Sequence, residues 1–327
     1  MGLSLQGLVQ SSGSRRSNLS DVERTMSQPF TLVGLDIEGD WNRPLLCNAA
    51  ALSGCECVFA RSGTAERNGT AQSAIESVAL EKALQGCSQV LACESTRNSV
   101  SVYDFPAPRE RTAILVGNEE QGIPRPVLKQ VDRVVSVPMV AGGLSSLNVA
   151  VAAAVILYAL AHDFARRRRV QKGLRQQNVD VLIAAPSDPH ELGSLLRSVY
   201  AFGWRRVFLS DPHKVWFSTD PEMILKSRAA ARRTKNLLVV VPGENLELRR
   251  YDAVLVCDQD QEGLPVSRLG LPECRRLLLV FGSWGERGDV GPPLTRVAVD
   301  HAGRAVRARF RHDGSILLSV ISEMLCA

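Results

Sequence analysis

Nothing in this sequence is apolar for long enough to cross a bilayer. Its longest apolar run, residues 147–161, falls short of the ~18–20 residues that a spanning helix needs. No membrane role is expected, and the run reads as a buried helix leaving the core. Residues 1–28 hold no signal-peptide core, and Asp21 and Glu23 argue against a transit peptide. That leaves a Ser-, Gly- and Arg-rich disordered tail and a cytoplasmic setting. The eight cysteines contain no C-x-x-C pair and no histidine at ligand spacing. Cys55-Glu56-Cys57 is the one close pair, and a half-buried strand accounts for it. The five histidines are scattered, so no metal is expected, and the thiols read as reduced. No G-x-G-x-x-G follows the first strand, which speaks against a Rossmann nucleotide enzyme. Aromatics make up only 5%, little material for platforms on which single-stranded bases would stack.

What the chain does have is room. Its 327 residues allow two domains of ordinary size, and 45% apolar with 22% charged residues is a globular balance. Strand-like and helix-like segments alternate, so the fold class is α/β. The net charge of +5 is unevenly spread. Residues 1–165 carry 13 basic against 16 acidic side chains, whereas residues 166–327 carry 26 against 18. A polyanionic partner would be drawn to the second half.

The chain is organised around residues 114–160. Ile114-Leu115-Val116 is a short β-run that stops at Gly117, and Val134–Val137 is another, stopped by Pro138. Ser145-Ser146 then stands where an N-cap belongs, before a long apolar helix. Two strand ends and a helix start converge there, as they do around the ligand crevice of an open α/β sheet. A basic connector, Arg166–Arg169 with Lys172 and Arg175, leads into a second half where the pattern restarts. Val179–Ala184 reads as a strand, and Ser187–Gly203 as a helix ending in Ala-Phe-Gly.

Gly117-Asn118-Glu119-Glu120-Gln121-Gly122, then Val137-Pro138-Met139 and Ser145-Ser146-Leu147-Asn148, resemble motifs two and three of the SpoU/TrmH branch of the SPOUT methyltransferases. The loop before Ser146 is one residue longer than in that family. The resemblance implies a trefoil-knotted domain that binds S-adenosylmethionine and methylates ribose 2′-hydroxyls of tRNA or rRNA, normally as a homodimer. Asn42 and Gly54 fit the ends of motif one, but Asn48 stands at its arginine. Residues 187–203 resemble motif one more closely, with Gly193 and Arg197 in place and Glu191 at the asparagine. Residues 281–288 are a blurred motif two. Gly314–Val320 echoes the start of the motif-three helix, with Leu317 where asparagine belongs.

The damage is complementary, because the first half keeps the cofactor loops and the second keeps the arginine. The expectation is a tandem fusion of two SPOUT-like domains forming a pseudo-dimer, the second degenerate. Its parts are a tail 1–28, a methyltransferase domain 29–165, a linker 166–177 and a second domain 178–327. It would have one active site per chain and act as a functional monomer. The second potential site, pairing Asn48 with Trp284 and Leu317, would be dead.

By the same resemblance, Leu115, Gly117, Glu119, Gly122, Val137, Met139 and Leu147 would bind the cofactor. Arg197, Glu119, Ser146 and Asn148 would stand at the reacting methyl. Arg197 would position phosphate and hydroxyl and stabilise developing negative charge; acting as a base would need help from an RNA phosphate. The basic Arg205, Arg206, Arg228, Arg232, Arg233 and Lys235 would bind RNA backbone. Ribosomal RNA is favoured slightly over tRNA. A silent RNA-binding protein, and a methyltransferase acting on a base or a protein, stay open beside this reading.

Overall fold

The computed structural model describes residues 29–39, 41–63, 77–140, 146–164, 174–232, 238–283, 291–303 and 306–326. The tail 1–28 and most of the basic connector lie outside them. The end of that connector is docked rather than solvated. Leu174 is buried, and the Gln176 amide donates to the Phe202 carbonyl.

Each half builds a seven-stranded sheet, and every pairing between the strands described is parallel. The first holds β1 (Phe30–Leu35), β2 (Glu56–Arg61), β3 (Ser77–Ala79), β4 (Gln89–Cys93), β5 (Val100–Ser101), β6 (Thr112–Val116) and β7 (Arg133–Ser136). The second holds β8 (Val179–Ala184), β9 (Arg206–Ser210), β10 (Val239–Pro242), β11 (Ala253–Cys257), β12 (Leu264–Pro265), β13 (Leu277–Phe281) and β14 (Leu294–Ala298). Their orders are β3-β2-β1-β6-β4-β7-β5 and β10-β9-β8-β13-β11-β14-β12. These are one wiring laid down twice. The duplication visible in the motifs therefore extends through both halves.

Central strands are buried on both faces, which is why they read as unbroken apolar runs. All of FTLVGL in β1 and TAILV in β6 is buried. Alternate side chains serve different layers. Leu32 and Ile114 join a core shared by both halves, while Val33 and Leu115 close a smaller cluster on the outer face. The second sheet has its own outer cluster around Leu182, Val256 and Leu278.

The helices are α1 (Asn42–Leu52), the short α2 (Leu80–Ala83) and α3 (Arg125–Leu128), α4 (Val149–Ala161), α5 (Pro189–Ala201), α6 (Pro221–Arg232) and α7 (Phe310–Cys326). Helix α4 is apolar all round because it is enclosed all round. It packs against α1 of its own half and α7 of the other, and α7 packs on α5. The shared core runs from Leu46 and Phe59 through α4 to Leu195, Leu317 and Phe281. Among the described residues no helix is long and apolar enough to cross a membrane.

Reciprocal bonds stitch the halves together. Val140 N–H donates to the Ala201 carbonyl at the end of α5 (3.1 Å), and Gly303 N–H donates to Leu52 at the end of α1 (2.8 Å). Equivalent points of the two motif-one helices are thus held by the opposite half. Tyr103 adds a bond to Ser319 (2.8 Å) and Tyr158 one to Asp300 (2.6 Å).

Two expectations are corrected here. Of the Ser145-Ser146 pair, Ser145 lies outside the described residues and Ser146 is not the N-cap of α4; Asn148 is, its side-chain oxygen accepting from Ala150 and Val151 N–H at 3.0 and 3.4 Å. Gly314–Val320 does not start a helix, because α7 begins at Phe310 and Leu317 is fully buried within it. The second-half corner that answers Ser146–Asn148 is Arg307–Arg311. Asn48 donates to the Arg307 carbonyl (3.1 Å) as Arg197 donates to that of Ser146 (3.0 Å), and Glu191 meets Arg311 as Asn42 meets Asn148.

Candidate active site

Strand β6 ends at Gly117, and the loop that follows is folded on one side chain. The Asn118 oxygen accepts from Glu120 and Gln121 N–H at 2.8 and 3.0 Å, and its amide donates to the Asp36 carbonyl at 2.9 Å. The Gly122 N–H closes the turn on the Asn118 carbonyl (2.9 Å). A Cβ on Gly117 would lie 2.3 Å from the Gly122 backbone, so only glycine lets the loop fold back. Gly122 has φ +68°, and a Cβ there would strike the Glu94 carboxylate at 2.5 Å. Glu94 in turn accepts from Ile123 N–H (3.1 Å), tying the end of β4 to this loop.

The other wall is the start of α4. Asn148 caps the helix with its oxygen and donates its amide to Asn42 (3.0 Å), and Asn42 donates to Glu119. One amide chain therefore joins α1, α4 and the glycine loop. From the second half, the buried Arg197 of α5 reaches in. Its Nε donates to the Ser146 carbonyl (3.0 Å), and a terminal nitrogen donates to Ser146 Oγ (2.7 Å) and the Leu147 carbonyl (3.3 Å).

Between these walls lies an open cavity of about 640 Å³. Gly117, Glu119, Gly122, Val137, Met139, Ser146, Leu147, Asn148 and Arg197 all line it, as the sequence led us to expect. Leu115 does not. It is fully buried in the outer cluster, because neighbours along β6 face opposite ways, and Val116 lines the cavity instead.

Sequence reasoning passed over four contributors. Asn118, Asn42 and Arg125 were visible, two of them within quoted motifs, but were assigned no role. Glu94 has no motif; its one trace is that Leu91-Ala92-Cys93-Glu94 recurs as Leu255-Val256-Cys257-Asp258 at the end of the matching strand. Burial pushes the Cys93 thiol up and keeps it protonated, so it offers the cavity no thiolate.

Residues 46–158 match the family model described as the SpoU rRNA Methylase family. The similarity lies wholly within the first half of the chain. Over 51 residues the chain is 49% identical to an uncharacterised tRNA/rRNA methyltransferase of Archaeoglobus fulgidus, covering 16% of this chain and 22% of that protein. Over 86 residues it is 37% identical to the tRNA (guanosine(18)-2′-O)-methyltransferase of Escherichia coli K12, covering 26% and 34%. The chain thus spans about a third or less of the length of the curated relatives it matches. An AdoMet-bound rRNA methyltransferase from Sinorhizobium meliloti is 19% identical, with 43% of this chain and 57% of that one covered, at a TM-score of 0.33.

The lining of the cavity fits S-adenosylmethionine chemically. Val137, Met139 and Leu147 supply apolar surface for an adenine, Glu94 and Glu119 acceptors for hydroxyls and a cation, and Arg125 a partner for a carboxylate. The four groups expected at the reacting methyl are brought together.

The basic residues expected on RNA are less concentrated. Arg205 lies over the Tyr200 ring (4.3 Å), which packs against Met139 and Leu147 in the cavity wall. Arg206 is paired with Asp180 (3.0 Å), and Arg228 lies over Trp216 (5.5 Å). The Arg232 side chain, Arg233, Lys235 and Trp284 lie outside the described residues. Among those residues no group of His, Cys, Asp or Glu is arranged to hold a metal.

Proposed function

We propose that this chain is an S-adenosylmethionine-dependent RNA methyltransferase acting on a ribose 2′-hydroxyl, with one active site built from both halves of a single chain. The observation that carries the proposal is the contact of Arg197, from the second half, with Ser146 and Leu147 in the wall of the first half's cavity. Ribosomal RNA is our first substrate and tRNA our second.

When bound, the cofactor supplies a methyl group already activated on a sulfonium. The chain's task is to hold a weakly acidic hydroxyl in line with that methyl and to stabilise charge as its proton leaves. Arg197 is suited to this because a guanidinium stays protonated and presents several donors in a fixed plane. Ser146 fixes its orientation by accepting at both the carbonyl and the hydroxyl. Asn42 and Asn148 hold the Glu119 carboxylate at the cavity through their amide chain, and Asn118 keeps the loop around it folded. The Tyr200 ring beneath Arg205 continues the wall toward a cation suited to RNA phosphate.

The test has three parts. Calorimetry with S-adenosylhomocysteine should give one equivalent per monomeric chain, weakened in Asn148→Ala. Methyl transfer to RNA should fall about 10²- to 10³-fold in Arg197→Ala while S-adenosylhomocysteine still binds. Nuclease digestion and mass spectrometry should then place the methyl on a ribose. Two equivalents would mean a second living site and end the single-site proposal. Methyl on a base would end the ribose assignment, and no cofactor binding would favour a silent RNA-binding protein.

A further inference from the structure

Trp41 is 78% exposed, more than any other large apolar side chain of the described residues. Exposure alone is ordinary for a lone apolar side chain, but this one is held in place. Its ring stacks on the exposed imidazole of His190, centroids 5.7 Å apart and planes 28° from parallel. These are matching positions of the two halves, each immediately before the motif-one residue that faces its own corner: Asn42 in one half, Glu191 in the other. The pair therefore straddles the approximate two-fold axis. Because the halves have diverged, it joins an indole to an imidazole, a combination no symmetric dimer of either half would present.

The pair also borders the site. Trp41 is followed by Asn42, which is bonded to Glu119 and Asn148 in the cavity wall. His190 and Arg197 are two helical turns apart on α5, which puts them on one face about 10 Å from each other. A strand that places a ribose beside Arg197 brings its neighbouring bases within reach of this ledge.

We propose that Trp41 and His190 form a stacking platform for an unstacked base of single-stranded RNA next to the nucleotide being methylated. This rests on the RNA methyltransferase reading. Any base has a π-face, so the platform would favour single-stranded over paired RNA rather than one base over another. Tyr200 and Arg205 mark the opposite end of α5, so the strand would run along that helix past Arg197.

The experiment measures fluorescence anisotropy of labelled ten-nucleotide oligouridylate and oligoadenylate, and of a duplex of the same length. The proteins are the full chain, Trp41→Ala, Trp41→Phe and His190→Ala. Calorimetry with S-adenosylhomocysteine runs alongside on each. We expect Trp41→Ala to bind both single strands roughly 5- to 100-fold more weakly. Trp41→Phe should keep most of the affinity, His190→Ala should fall between, and the duplex should not distinguish the variants. S-adenosylhomocysteine binding should stay within about twofold throughout, which also shows the variants to be folded. Unchanged single-strand affinity in Trp41→Ala overturns the platform, as does a wild type that ignores both oligonucleotides; neither result touches the methyltransferase reading. Loss of S-adenosylhomocysteine binding by the wild type overturns that reading instead, and the oligonucleotide arm still decides the platform.

Discussion

In the first half, Asn148 caps α4, reaches Asn42 and leaves a cavity beside it. In the second, Arg311 in the first turn of α7 closes on Glu191 at 2.7 and 2.8 Å, with its own N–H on the same carboxylate at 2.9 Å. Strand order and the cross-half bonds are shared; the polarity of one corner is not. Two neutral amides can border a space that a ligand enters and leaves. A buried guanidinium cannot, since it needs its counter-ion at all times. The second half has also gathered His301 and Gln259 onto Asp313 (2.7 and 2.9 Å) around the same helix start. Its corner has become a structural ion-pair cluster, and the arginine it retains, Arg197, lines the other half's cavity.

The largest effect should come from breaking that ion pair. Glu191→Leu leaves Arg311 buried with no means of losing its charge, and we expect a loss of about 3–5 kcal/mol in urea unfolding. The double change Glu191→Asn with Arg311→Asn, which replaces the ion pair by two neutral amides, should recover much of it. A Glu191→Leu protein as stable as wild type would show that the corners are not built differently in energy.

Removing Arg197 should separate the halves functionally. Arg197→Ala should lower methyl transfer by about 10²- to 10³-fold, the effect of losing a donor aimed at developing charge. Placing the missing arginine in the first half, Asn48→Arg, should not create a second site, because Arg311 and Glu191 occupy the corner it would face. A second equivalent of bound S-adenosylhomocysteine in Asn48→Arg would contradict this.

The second half should also be the acid-sensitive one. His312 is fully buried, and neither ring nitrogen has a partner among the described residues. Burial, with the nearby Arg311, His301 and Arg309 charges, pushes it down to about 3. Above pH 6.5 this has no consequence. Below it the unfolded chain takes up a proton that the folded one refuses, so stability falls with pH until about pH 3. Each pH unit in that window is worth about 1.4 kcal/mol, which makes roughly 2 kcal/mol between pH 7 and pH 5. Denaturant midpoints at those two pH values should converge in His312→Leu.

The smallest effect belongs to the cap. Asn148→Ala should cost about 1 kcal/mol of stability. It should weaken S-adenosylhomocysteine as well, because the amide chain to Glu119 goes with it.

How legible this was depended on how the chemistry is written. Gly117 and Gly122 could be read because their backbone geometry admits no other residue, and Arg197 because the halves could be compared. Leu115 was misplaced because a strand apolar on both faces does not say which face is which. The Arg307–Arg311 corner was missed because an ion pair replaced the amides that would have marked it, and Gly314-Ser315 inside α7 imitated the lost signal. Arg206 looked like a cation awaiting phosphate because sequence does not reveal Asp180 beneath it. Glu94 reaches the cavity only through the fold, with no motif to mark it.

The reciprocal seam of Val140 on Ala201 and Gly303 on Leu52 has a consequence for how the protein behaves when scarce. A site assembled from two separate subunits falls apart on dilution, and its specific activity drops with concentration. Here both contributors travel on one polypeptide, so their encounter is first order and their local concentration is set by the tether. Turnover per molecule should stay level however few copies are present.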